Sequence, residues 1–144
     1  MSNPEDLISA YETTTYRVML PGEWADVQIG IPLPSILSAL MEASGDEHWA
    51  ILTAENPGSK QLDSHENGRR RQALEKHLNE LGYRHLPTKH LSANADWPVE
   101  RGQFVFGLTD DIALDLAKSW GQAAVVVGQL ASKATLLSQP LEIA

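Results

Sequence analysis

Apolar residues along this chain recur in two rhythms, one near 3.6 residues and one of two, and their alternation lays out the elements. Leu7, Ile8 and Tyr11 give a short first helix one apolar face. Asn3 is placed to cap it, Pro4 takes its first position, and Glu5 and Asp6 meet its positive end. From Thr13 to Leu20 β-branched and aromatic residues take over, Pro21-Gly22 supplies a turn, and Trp24 to Ile29 alternates as a second strand, so a hairpin is predicted. Leu33, Ile36, Leu37, Leu40 and Met41 return to helical spacing, with Gly45 as the stop.

His48 to Ala54 is a near-continuous apolar run, the pattern of a central strand covered on both faces. Asp63 or Ser64 then caps a strong helix to about Leu81, with Glu66 three residues on from Asp63 as in a capping box and Gly82 as the stop. Tyr83 to Leu91 is a weaker strand, Ser92 to Gly102 reads as a loop around Trp97-Pro98, and Gln103 to Leu108 is a strand. Thr109, Asp110 and Asp111 open a helix on which Ile112, Leu116, Ala117 and Trp120 are expected to share a face, ended by Gly121. Ala123 to Val127 reads as a buried strand, and Ala134 to Leu137 as its partner in a closing hairpin. There is no repeat or linker, so residues 1–144 are expected to form one α+β (mixed α/β) domain. Its mixed sheet would have about five to seven strands, flanked by about three to four helices.

Composition narrows the chemistry. The chain has no cysteine, which excludes thiolate metal sites, disulfides and a Cys nucleophile. No apolar run approaches the roughly 20 residues of a membrane span. The acidic Ser2-Asn3-Pro4-Glu5-Asp6 start is unlike a signal peptide, so the cytoplasm is the expected compartment, with no membrane partner. A net charge of −8 argues against nucleic acid, Arg69-Arg70-Arg71 notwithstanding. The five histidines show no metal-ligand spacing, and neither a metal nor a cofactor is expected.

One feature breaks the packing pattern. Leu74, Leu78 and Leu81 mark the core face of the strong helix, and that face extended backwards reaches Arg71, Arg70 and Asn67. Buried charge is expensive unless partnered, so these residues call for an internal carboxylate or a bound anion. The preceding loop, Thr53 to Ser59, leaves the carboxyl end of a central strand, where open α/β sheets build binding crevices. Thr53, Asn56 and Ser59 supply hydrogen bonds there, with Asn67 to orient a ligand and Arg70 to clamp its carboxylate or phosphate. Trp97 and Glu100 follow as a pocket wall, Glu100 doubling as a general acid/base, and Gln122 as a ligand contact. The plainer alternative pairs Glu66 or Glu100 with Arg70 as a structural network and leaves Trp97 anchoring a loop.

The order Ala10-Tyr11, Thr14, Tyr16, Val18, then Leu52-Thr53-Ala54, Asn56-Pro57, Ser59, Glu66-Asn67, Arg70 and Leu74, followed by Gly82-Tyr83, Trp97-Pro98, Glu100 and Gly121-Gln122, resembles a bacterial family. It is the domain of unknown function 3293, and the resemblance runs from about Ala10 to Leu137. It implies no activity, but it does imply that Thr53, Asn56, Pro57, Asn67, Arg70, Trp97, Glu100 and Gln122 are signature positions. Glu55 stands where the family tends to have Trp, and Trp120 where it tends to have Phe. An acidic Glu55 would weaken an anion site or itself supply a carboxylate. The expected function is binding, or hydrolysis, of a small nucleotide-like or carboxylate- or phosphate-bearing anion. The rival is a non-enzymatic interaction or regulatory module, with a protein partner or a homo-oligomer and a purely structural polar cluster.

Overall fold

The computed structural model describes residues 4–94 and 97–138; the side chains of residues 4–7 and of Ser59 lie outside that description, as does the expected Asn3 cap. The described elements are α1 (Pro4–Glu12), β1 (Thr15–Leu20), β2 (Glu23–Val27), α2 (Ser35–Ser44), β3 (His48–Thr53), a 3-10 turn (Pro57–Ser59) and α3 (Ser64–Leu81). They continue as β4 (His85–Leu91), β5 (Glu100–Phe106), α4 (Asp110–Ser119), β6 (Ala124–Gln129) and β7 (Thr135–Ser138). Local chemistry sets several boundaries. The Asp63 carboxylate accepts from Glu66 N at 2.8 Å to start α3, and Gly82 ends it with φ near 83°.

Seven strands form one sheet in the order β2-β1-β4-β5-β3-β6-β7. The fold is α+β, but every ladder between these strands is antiparallel; the expected mixture shrinks to one isolated parallel bridge, Ile29 to Ala134. The reason lies in the order. The crossover β3-α3-β4 joins strands that run the same way, and β5-α4-β6 does likewise, yet β5 sits between the first pair and β3 between the second. This β-α-β-β-α-β unit is the split arrangement of ferredoxin-like folds. The β1–β2 hairpin extends one side and β7 the other. The sheet then curls until the segment after β2 bridges the one before β7 at Ile29–Ala134 and Pro32–Lys133.

The central strands β3, β5 and β6 bury both faces, whereas β1, β2 and β4 alternate and fully bury one. On the inside of the curl Tyr16, Val18, Trp49, Phe104 and Phe106 pack with Leu37 and Met41 of α2. On the outside Leu52, Val105 and Val125 receive Leu74 and Leu78 of α3 and Ala113 and Ala117 of α4. Full burial of a leucine such as Leu74 contributes about 2 kcal/mol.

Three expectations are corrected. Leu81, at the last turn of α3, is 49% exposed rather than core. On α4 the buried residues are Ala113 and Ala117, whereas Ile112 is 42% exposed; small side chains seat this helix on the sheet. The third is that β5 starts at Glu100, three residues earlier than its apolar run, which removes Glu100, Arg101 and Gly102 from the expected loop.

Candidate functional site

Register places the site. Tyr16 of β1 stands opposite His90 of β4, and His90 opposite Glu100 of β5, so one row across three strands presents a phenol, an imidazole and a carboxylate to the inside of the curl. Gly102, two residues on from Glu100, makes room. A Cβ there would lie 2.2 Å from Leu52 O and 3.0 Å from the His90 ring. The row opens on a cavity of about 280 Å³ at the end of the sheet where β3 finishes and β5 and β6 begin. Tyr11 from α1 and Trp97 from the loop before β5 add two more rings, and Thr53 and Gln122 complete the polar wall.

Electrostatics follow from burial. His90 packs edge-on to Tyr16 at 4.9 Å and shares a 2.8 Å hydrogen bond between its Nε2 and Thr88 Oγ1. Burial lowers its pKa to about 4, so the ring is neutral at physiological pH. Burial, with the nearby Glu100 charge, pushes Tyr11 up to about 12, and Tyr16 is also raised, so both stay phenols. Glu100 is raised above the usual carboxylate range, chiefly by burial and also by the Glu55 charge, against hydrogen bonds that favour its ionised form. Those bonds come from Asn56 Nδ2 at 2.9 Å and Trp97 Nε1 at 3.3 Å, and both reach Oε1. Oε2 makes no hydrogen bond to a described residue.

Behind Glu100 lies a tightly bonded layer. Asn56 adopts a left-handed backbone, φ 49°, a region that Asn enters more readily than most residues. Its amide N–H donates to Asn67 Oδ1 at 3.0 Å, while its Oδ1 accepts from Asn67 Nδ2 at 2.8 Å and Leu62 N at 2.9 Å. The two asparagines thereby lock the loop after β3 to the first turn of α3 and aim the Asn56 amide at Glu100. Arg70, one turn along α3, donates through Nε to Ala54 O and through Nη2 to Trp120 O at 2.8 Å. Gly121 lets the α4–β6 connection approach that loop: its carbonyl accepts from Gly58 N at 2.7 Å, and a Cβ would stand 2.7 Å from Pro57 Cβ. Glu55 sends its carboxylate elsewhere, accepting from Arg101 N at 3.1 Å and pairing with Arg71 at 3.5 Å.

The structure thus brings together some of the residues singled out in the sequence and not others. Thr53, Trp97, Glu100 and Gln122 line the cavity. Thr53 Oγ1 is occupied with Arg101 O, and Gln122 Nε2 with Glu55 O at 3.0 Å. Asn56 and Asn67 stand one layer back. Arg70 is outside the wall, its donors spent on backbone carbonyls, and Ser59 belongs to the 3-10 turn. The pairing expected of Glu66 is with Arg69 at 3.6 Å, not with Arg70. Sequence reasoning missed Tyr11, Tyr16 and His90 as cavity residues. The available signal was the even-numbered face of β1 and β4, where Thr14, Tyr16, Thr88, His90 and Ser92 put polar groups on strands that otherwise alternate.

Among the described residues no three His, Asp or Glu side chains are grouped to hold a metal ion, and no helix is long and apolar enough to cross a membrane. Residues 52–125 match the family described as Protein of unknown function (DUF3293), and the chain belongs to it. That span runs from within β3 to within β6, nearly the whole split β-α-β-β-α-β unit and its loops. No curated protein and no solved structure matches the chain.

Proposed function

We propose that this is a cytoplasmic small-molecule-binding domain whose ligand occupies the cavity beside Glu100. The observation that carries this reading is the state of that carboxylate. One oxygen is held by Asn56 and Trp97, the other has no partner among the described residues, and the group stands in the wall of a concave, ring-lined space. An oriented carboxylate with a raised pKa is suited to anchor a donor or, in a hydrolytic reaction, to take a proton from water. Anchoring is the primary role; catalysis by Glu100 is the stronger version of the same site. The anionic ligand suggested by Arg70 is not part of this reading, because that guanidinium serves two carbonyls and no Lys or Arg is among the described residues lining the cavity.

The rival, an interaction or regulatory module with a structural polar cluster, draws on the internal bonding of Asn56, Asn67 and Arg70. The two readings share that cluster and differ at Glu100. A thermal-shift screen of wild type and Glu100→Gln against small ring-bearing metabolites tests them. The expected result is a compound that stabilises wild type and does so less in the variant, since binding to the native state alone raises its stability. A screen in which no compound stabilises wild type overturns the small-molecule reading. If a stabilising compound is also hydrolysed, Glu100→Gln should abolish turnover with the fold intact.

A further inference from the structure

We propose that the ligand carries a positive charge: the cavity is an organic-cation site in which an alkylammonium group lies among the Tyr11, Tyr16 and Trp97 rings and meets the free Oε2 of Glu100. This rests on the cavity being the ligand site and goes further by naming the ligand's charge class.

Four observations carry it. The three rings come from separate elements, α1, β1 and the loop before β5, and converge on one space of about 280 Å³. Aromatic rings in the wall of a ligand space are a recognised means of holding an ammonium, through the negative electrostatic face of each π-system. Glu100 is the sole carboxylate among the described lining residues, and none of them is Lys or Arg. The internal group best placed to become a counter-ion is His90, directly opposite Glu100 in the ladder, and its Nε2 is committed to Thr88.

The other charged groups nearby deepen the case. Glu55, the nearest other carboxylate, is already paired with Arg71, and both Arg71 and Arg101 lie outside the cavity wall. The half-buried Glu100 carboxylate has one oxygen with no partner among the described residues, and a cation in the cavity supplies a charge and a donor to it together. A ligand carboxylate or phosphate would meet Glu100 with like charge and find no Lys or Arg among the described residues of the wall. The volume is small beside pockets for drug-sized molecules, which suits a compact amine.

Three probes on one skeleton separate charge from shape: phenethylamine, 2-phenylethanol and phenylacetate. Each is titrated into the ¹⁵N-labelled full chain while the indole N–H of Trp97, the donor to Glu100, is followed by NMR, with Trp97→Phe assigning the resonance. The protonated amine should shift that resonance and bind about tenfold more tightly than the alcohol, with phenylacetate the weakest. Its affinity should fall as pH drops and Glu100 takes up a proton. Glu100→Gln, which keeps an oxygen for Asn56 and Trp97 to reach, should bring amine and alcohol to within about twofold. Equal affinities for amine and alcohol in wild type, or tighter binding of phenylacetate, overturn the cation assignment and leave the cavity as a ligand site. If no probe moves the Trp97 resonance, the cavity reading falls with it. The wild-type titrations decide the matter even if the variant does not fold.

Discussion

Two neighbouring rows of the sheet differ by one residue per strand and have opposite chemistry. Tyr16, His90 and Glu100 face into the curl; Arg17, Lys89 and Arg101, each adjacent to one of them along its strand, form the adjoining row on the outside. The inner row is desolvated and holds one carboxylate with two neutral rings. The outer row holds three cations, which would repel across the ladder without local partners. Arg17 meets Asp26 at 2.9 Å, and Glu55 lies near Arg101 while pairing with Arg71. The pleat alone separates the two sets, so a one-residue slip of register would exchange them. The lesson is that the cavity lacks cations by placement and not by scarcity, because three lie just across the backbone.

The largest expected effect comes from crowding the inner face beside that row. Gly102→Ala drives a Cβ into Leu52 O and the His90 ring and should destabilise by about 3 kcal/mol in urea denaturation. Next is pH. The pKa of His90 is depressed in the fold, so its contribution to stability is intact above the unfolded value near 6.5 and is lost as pH falls towards about 4. Across that window the cost should reach about 3 kcal/mol, and stability measured against pH should lose this slope in His90→Gln.

Glu100 should behave in the opposite sense. Its pKa is raised, so its carboxyl favours the fold at low pH, and that contribution is lost as pH rises through the folded value. Glu100→Gln should therefore stabilise the ligand-free protein by about 1 kcal/mol at neutral pH, a gain that shrinks on acidification. Calorimetry at a series of pH values checks it, and destabilisation at neutral pH would mark Glu100 as a structural strut. The smallest effect belongs to the outer row, where Lys89→Ala should change stability by no more than about 0.5 kcal/mol and leave binding in the cavity unaltered.

Much of this architecture was legible from local chemistry. The Asp63 cap, the Gly82 stop, the Pro21-Gly22 hairpin and the apolar run of β3 each depend on neighbours close in sequence, and each was placed within a few residues. The start of β5 was hidden because its inner face is the site itself: Glu100 and Gly102 look like loop residues until the strand beside them is known. For the same reason His90 stood out only as one of five histidines without metal-ligand spacing. Arg70 teaches a different point. The polar break in the core face of α3 was visible, and so was its need for a partner, but the partners are carbonyls of residues 54 and 120, and carbonyls leave no mark in a sequence. The antiparallel order was likewise out of reach, since two helix crossovers look parallel until a strand is inserted between their ends.

That insertion also governs how the chain must assemble. β3 has no ladder with any strand made before it; its partners are β5 and β6, from the far half of the chain. During synthesis the most apolar strand of the first half therefore emerges with both edges bare, and it has α2 but neither neighbour to shelter it. Loop-closure entropy must be spent before those distant pairings give anything back, which places the transition state late in chain order and refolding towards the slow side for a domain of this size. The same split pairing that gathers Thr53, Glu100 and Gln122 at one end of the sheet makes the first half of the molecule a piece that cannot settle alone.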